Sequence, residues 1–396
     1  MQDSKTLYSA KHRSGRRSEQ NGFEEPMKVL GICSYPVEAA ATRFRMTQFV
    51  ESLREYGVEL TIRPFMDSRQ FRDFYSDSGR VRKALTMLAP VARRISGIFG
   101  VRNYDLLFVQ REALFFGPGI FEWIYQKLGG IPMILDLDDA TYVPYVSPSY
   151  GRAGSFFKFF GKTDNLIKRS NLVVCGNRFI AEYVESKGTT AIVIPTVVDT
   201  ELFAPIEKAN EIPVVGWIGT HSTFSFLESC FPVLEKLAET QLFKLRIIGA
   251  GKKDIAVKGV EVENLEWNMD REIADFQSFD IGLYPVTLSS SANEQWILGK
   301  SGFKAVQYLA VGVPFVMSPV GVCAEIGEVN VTHFNAASPE DWYNSLSRLI
   351  SDAGLRQKMG TDGRKYSLDH YSLAVQASVL AEAMKSVYGK KGETTD

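Results

Sequence analysis

The strongest constraint on this chain is a rhythm in which short apolar runs, rich in β-branched residues, alternate with longer amphipathic stretches. The runs are Lys28-Val-Leu-Gly-Ile-Cys-Ser, Val58-Glu-Leu-Thr-Ile, Asp105-Leu-Leu-Phe-Val, Pro132-Met-Ile-Leu-Asp, Asn171-Leu-Val-Val-Cys and Ala191-Ile-Val-Ile. Their lengths and compositions are those of strands buried on both faces. Helical patterns fall between them, over Thr42–Tyr56, Phe121–Leu128 and Asn177–Ser186. Such alternation implies a parallel sheet wrapped on both sides, since a parallel neighbour is reached only through a crossover. The rhythm breaks between Pro195 and Pro213, where prolines and charges replace any clear period, and this segment reads as a linker. It restarts with Val214-Val-Gly-Trp-Ile-Gly, Leu245-Arg-Ile-Ile-Gly, Asp280-Ile-Gly-Leu-Tyr and Val313-Pro-Phe-Val-Met-Ser. Helices are expected at Phe224–Thr240, Ser301–Val311 and Pro339–Ser351, and a last one at Ser372–Tyr388.

Two halves built alike suit 396 residues, more than one ordinary core takes. The expected organisation is α/β: a Rossmann-like domain over 27–200 and a second over 212–371. A closing helix, about 372–390, is free to pack back on the first domain. Open parallel sheets bind ligands beyond the carboxyl ends of their strands, so two in tandem face each other across a cleft. A formal net charge of -1 argues against a general nucleic-acid binder. Cys33, Cys175, Cys230 and Cys323 have no metal-ligand spacing, and buried thiols in a reducing, cytoplasmic compartment are expected. No run of about 18 apolar residues marks a membrane span. The polar stretch 1–26 lacks the apolar centre of a secretory signal and reads as a disordered tail.

The most specific stretch runs from Asn293 to Val316. A loop with Gly299 and Gly302 leads into a helix that exits at Gly312-Val-Pro. Lys300 and Lys304 are four apart and project from one side of its first turn. Free backbone N–H groups, the helix dipole and two ammonium groups would hold a diphosphate. The plainer alternative is a pair of solvated surface lysines.

At this point the chain resembles the retaining glycosyltransferases of family 4, which have the GT-B fold. Ala310-Val-Gly-Val-Pro-Phe-Val is similar to their donor-site signature, Ala-x-Gly-x-Pro-Val-Val. Thr42-Arg-Phe-Arg, Leu135-Asp-Leu-Asp-Asp, Cys175-Gly-Asn, Ile194-Pro-Thr-Val-Val-Asp, Gly216-Trp-Ile-Gly-Thr and Leu355-Arg-Gln-Lys-Met-Gly add to it, from Met27 to about Tyr388. The resemblance implies transfer of a sugar from a nucleoside diphosphate donor to an acceptor, with retention, without metal and without a cofactor. The family's Glu-x7-Glu pair falls here on Gly299 and Gln307. Gln307 keeps an amide for ribose hydroxyls, and Glu294 is the candidate substitute carboxylate. The usual Arg/Lys phosphate pair is missing too, with Trp217 near the arginine's place. The loop Gly219, Thr220, His221 remains as donor contact, running into a helix with Ser222 or Thr223 as cap.

In the first domain Arg43 and Arg45 are two apart and point to different sides of a helix. One is expected to meet a phosphate or an acidic acceptor. Asp138 and Asp139 close a strand at its cleft edge. They are the catalytic candidates, to orient an acceptor hydroxyl or stabilise an oxocarbenium-like transition state. Arg111 and Glu112 share that edge, to contact acceptor or to pair with each other or with Asp138. The Asp136-x-Asp138 triplet also resembles the metal motif of GT-A enzymes, but two successive halves and scattered histidines argue against it. Arg80–Arg94 and Ser155–Lys162 mix basic and apolar residues. Half-buried helices are the plainer reading; the other is a peripheral contact at the inner membrane face, with a lipid-linked acceptor in place of a soluble glycan. The expected role is polysaccharide biosynthesis. The alternatives are a non-catalytic nucleotide-sugar-binding scaffold and a GT-B sugar-nucleotide epimerase.

Overall fold

A computed structural model of the chain describes residues 25–75, 83, 85–144, 158–208, 210–287 and 294–393. The first sheet holds β1 (Met27–Cys33), β2 (Val58–Pro64), β3 (Leu106–Gln110), β4 (Met133–Leu137), β5 (Leu172–Cys175) and β6 (Ala191–Val193). All are parallel, in the order β2-β1-β3-β4-β5-β6. Each is one of the apolar runs read from the sequence. Alternate residues feed opposite layers: Leu30, Ile32, Leu107 and Val109 enter one core, Val29, Cys33, Leu106 and Phe108 the other. Burial on both faces explains why β1, β3, β4 and β5 read as nearly unbroken apolar runs.

The second sheet holds β7 (Val214–Ile218), β8 (Lys244–Ile248), β9 (Glu261–Leu265), β10 (Ile281–Tyr284), β11 (Phe315–Met317) and β12 (His333–Asn335). Its order is β12-β11-β10-β7-β8-β9, again parallel, with the direction of winding reversing between β7 and β10. The periodicity did not reveal β9 and β12. β9 is an edge strand whose Glu261 and Glu263 pair with Lys244 and Arg246 at 2.8 and 2.6 Å, so charge breaks its apolar run. β12 is three residues long.

Three expected helices are divided or shortened. Thr42–Tyr56 becomes a helical turn (Ala40–Thr42), a π-helical turn (Arg43–Thr47) and a helix (Phe49–Glu55), with the Gln48 amide donating to the Arg43 carbonyl at 3.0 Å. Phe224–Thr240 breaks into Phe224–Glu228 and Phe231–Ala238, the second opened by Pro232. Ser301–Val311 shortens to Phe303–Ala310, leaving Lys300 in the loop before it.

The chain crosses between the halves twice. After the first crossing, Arg364 donates to the carbonyls of Thr200, Phe203 and Ala310, tying the linker to the second half. The second crossing delivers the helix Leu373–Glu393. It buries Ala377, Leu380, Ala381, Met384 and Val387 in the same core as Met27, Val29 and Val58. All four cysteines are buried and free. No helix among the described residues is long and apolar enough to cross a membrane. The tail 1–24, the segments 80–82 and 155–157 of the two basic stretches, and the loop 288–293 lie outside the described residues.

Candidate functional site in the cleft

The carboxyl ends of both sheets enclose a cavity of about 620 Å³. Its second-domain wall is built at the reversal point of the second sheet: Ile218 to Thr223 follow β7, and Tyr284, Pro285 and Val286 follow β10. A reversal point leaves a crevice because the crossovers on its two sides run to opposite faces. Ala40 and Asp139 of the first domain complete the wall. The volume is within the range of small-ligand sites, roughly 300–1,000 Å³.

Of the thirteen residues singled out by the sequence, Asp139, Gly219, Thr220, His221, Lys300 and Lys304 line this cavity together. Gly219 owes its identity to crowding: a Cβ there would lie 2.3 Å from the ring of Trp217, which fills the space beneath the loop. Thr223 stands at the N-cap position without a capping bond, its hydroxyl turned back to the Thr220 carbonyl at 3.2 Å. The helix it opens has five residues, so the expected phosphate-holding terminus is weak there.

Lys300 packs its ammonium 3.7 Å from the centroid of the Trp296 ring, and Lys304 sits in the first turn of its helix with the ammonium 3.2 Å from Gln307 Oε1. Burial lowers both lysines' pKa, opposed for Lys300 by Asp139 and for Lys304 by Glu272. Both side chains are partly buried, so an anion held by them would be bound more strongly than on an open surface.

The main residue that the sequence reading missed is Glu272, 4% exposed in the cavity wall. It forms an ion pair with Arg43 of the first domain and accepts from the Gln307 amide at 3.3 Å. Arg43 is therefore spent on bridging the domains, and its expected acceptor contact is corrected accordingly. Gln307 is also corrected: it is fully buried, with its amide taken by Glu272 and Lys304, and does not reach the cavity. No motif spacing pointed to Glu272, since its helix, Glu272–Gln277, is short and its partner lies 229 residues away.

Arg45 leaves the site. Its Nε lies 3.1 Å from Asp136, to which Nη2 also donates, and Nη1 donates to the Ile194 carbonyl at 2.7 Å. The π-helical turn carries both arginines inward, and an ion pair this deep holds the fold and reaches no ligand. Arg111, in a left-handed backbone conformation (φ 61), forks between Asp138 at 2.5 and 2.6 Å and Asp139 at 2.7 Å. Asp138 is buried, which by itself would raise its carboxyl, but Arg111 holds it below the usual range. Enclosure raises Asp139, in spite of Arg111. Only Asp139 of the two lines the cavity. Glu112 turns away, paired with Lys162 at 2.6 Å, and is no acceptor contact. Glu294 opens the helix Glu294–Leu298 on the face away from Trp296; it is exposed and outside the cavity wall.

The two walls meet at Gly299. A Cβ there would lie 2.3 Å from that of Ala140, so no glutamate fits where the resemblance would put one. The Asn177 amide caps its own helix through Oδ1 and donates through Nδ2 to the carbonyls of Gly299 (3.3 Å) and Lys300 (3.1 Å). First-domain contacts thus hold the loop that carries Lys300.

Two Rossmann-like domains facing each other across a cleft constitute the GT-B architecture. No family model matches the sequence, and no curated protein matches it. Solved structures do. A sucrose-phosphate synthase from Thermosynechococcus elongatus superposes with TM-score 0.64 at 12% identity, covering 92% of this chain and all (100%) of that one. A glycosyltransferase from Rickettsia africae ESF-5 gives 0.65 at 14%, covering 92% and 99%. HepE of Anabaena, in complex with UDP-glucose, gives 0.62 at 14%, covering 91% and 100%. At these identities the likeness is one of fold.

Proposed function

We propose that this chain is a glycosyltransferase that takes a sugar from a nucleoside diphosphate donor held in the cleft. The observation that carries the reading is the pair of partly buried lysines, Lys300 and Lys304, facing one cavity at the reversal point of the second sheet. That HepE, of the same fold, holds UDP-glucose supports a donor of this kind.

The second domain binds the nucleoside diphosphate, and Lys300 and Lys304 stabilise the charge that gathers on it as the glycosidic bond breaks. Without a metal this is the main electrostatic task. Trp267, half exposed in the cavity wall, offers a face for the base. Glu272 supplies the buried carboxylate that the Gly299 position cannot, beside Gln307. The first domain presents the acceptor, a glycan or a lipid-linked one. Asp139 faces it as the group that takes or orients the hydroxyl proton, while Arg111 keeps Asp138 ionised and the pair in place. Closure at Gly299 and Asn177 excludes water, so transfer outpaces hydrolysis. Retention of configuration and metal independence belong to the same proposal.

The test is a thermal-shift panel of UDP, GDP, ADP, TDP and CMP with chelator present, on wild type and on Lys300→Ala/Lys304→Ala. A nucleotide at about 100 times its dissociation constant adds roughly 2.7 kcal/mol. One base should stabilise wild type and lose its effect on the double variant. No response to any nucleotide overturns the donor reading and leaves the scaffold alternative. With the base known, NMR of the matching sugar donor separates transfer from epimerisation: an epimer formed from donor alone would sink the transferase.

A further inference from the structure

The helix Leu88–Gly97 of the first domain buries an arginine beside Pro90 and leaves several apolar side chains outside. Its inward face carries Arg94, 3% exposed, whose guanidinium donates to the carbonyls of Cys33 (2.6 Å), Arg63 (2.7 Å) and Ala113 (3.2 Å). Those bonds fix the rotation of the helix, because turning it would strand a buried cation. Leu88, Ala92 and Ile95 then face solvent, followed by Phe99 in the 3₁₀ turn Ile98–Asn103. Spaced four, three and four residues apart, they form one stripe. Leu85 precedes it, 62% exposed, and Phe99 is 88% exposed.

The helix Ile120–Gly129 runs alongside, joined by the Tyr125 hydroxyl donating to the Arg94 carbonyl (2.7 Å) and by Arg102 donating to the Leu128 carbonyl (3.0 Å). It adds exposed Ile120, Trp123 and Leu128. Exposed hydrophobics scattered singly are ordinary, but seven large ones on the segment 85–99 and the helix beside it make a patch that calls for an occupant.

Charge selects that occupant. From Leu85 to Asn103 and from Phe116 to Gly130 the one carboxylate is Glu122, buried and accepting from the Ala113 amide. Arg102 and Lys127 are exposed around the apolar residues, while Arg93, also exposed, is paired with Asp67 at 3.3 Å. A cavity of about 410 Å³ lined by Arg63, Arg93 and Asp67 opens on the same flank. A two-fold contact with a second copy would set these cations against each other. An anionic bilayer meets both halves of the pattern, taking aromatic and aliphatic groups at its acyl boundary and cations at its head groups.

We propose that this two-helix surface docks the chain on an anionic lipid bilayer. The helix Ile120–Gly129 starts at the carboxyl edge of the first sheet, where the cleft opens, so docking brings the cleft's first-domain wall beside the head groups. The inference stands whether or not the donor reading does.

The test is cosedimentation of the full chain with phosphatidylcholine vesicles, with and without phosphatidylglycerol. Wild type should pellet only with the anionic lipid, and salt should weaken binding. Ile95→Asp/Phe99→Asp should abolish it, and Lys127→Glu should lower partitioning about fivefold or more. Circular dichroism and melting temperature, expected unchanged, show that the variants fold. Wild type left in the supernatant with both vesicles, or pelleting that Ile95→Asp/Phe99→Asp leaves intact, overturns the proposal. So does a solution dimer that this variant splits while no vesicle binding is seen; the face would then belong to a second copy.

Discussion

Arg43 and Arg45 show what residue spacing reveals and what it leaves out. Two apart, they do point different ways, one to Glu272 and one to Asp136. That both would be buried could not be read, since burial depends on a π-helical turn and on partners far along the chain. The Arg45–Asp136 pair gives a direct check of its structural role. Asp136→Asn leaves a buried guanidinium poorly matched and should cost about 3–5 kcal/mol in denaturant unfolding, whereas Arg45→Met/Asp136→Leu should recover most of it. Were Arg45 an acceptor contact, its replacement would raise an acceptor KM without touching stability. His333 offers a pH-dependent counterpart. Buried on β12 and stacked on Phe315 at 5.0 Å, it has its pKa pushed down to about 4 by burial. From its ordinary value of 6.5 down to about 4, the unfolded chain takes up a proton that the folded one refuses. Stability is therefore fully present above that window and falls with pH through it, by up to roughly 1.4 kcal/mol per unit. In urea titrations across that range His333→Phe should flatten the slope.

Among the elements, ten of the twelve strands could be read directly because their apolar residues gather in short runs, nearly unbroken where both faces are buried. The two that could not are the outer strands of the second sheet, one charged and one very short. Helix interiors were legible and their interruptions less so. Pro339–Ser351 matches its expected span because its start is written locally: the Ser338 hydroxyl accepts from the Asp341 amide while the Asp341 carboxylate takes the Ser338 amide. Ser338→Ala should cost about 1 kcal/mol in thermal unfolding, and nucleotide-induced stabilisation should persist, since this cap lies outside the cavity wall. The helix before β11 was placed correctly in outline, yet its first residues belong to a loop shaped by the other domain. Contacts across the cleft made that difference, and no local pattern encodes them.

At the scale of the whole molecule, the cleft was legible and its closure was not. Two repeats of one architecture already implied facing ligand edges. The close approach of Gly299 to Ala140 and the Arg43–Glu272 bridge arise only when the halves meet. They suggest a separable effect. Arg43→Met removes the bridge at a residue outside the cavity wall and leaves Glu272 in place, so the molecule should open in solution, with a larger radius of gyration by X-ray scattering. Under the proposed function, transfer should fall while nucleotide-induced stabilisation, assigned there to Lys300 and Lys304, largely survives. Equal loss of both would instead make Arg43 part of the donor site.

The helix Leu373–Glu393 has a consequence for how the protein is made. It finishes the core of the domain that leaves the ribosome first, supplying Leu380 and Met384 to the face shared by Met27 and Val58. At about 5–20 residues per second, that face waits roughly ten to forty seconds after β6 for its cover. In that interval the second domain can complete its own sheet, so the last-born domain settles before the first-born one. A nascent chain stalled before Leu373 therefore carries an open apolar face, a natural target for a chaperone or a protease.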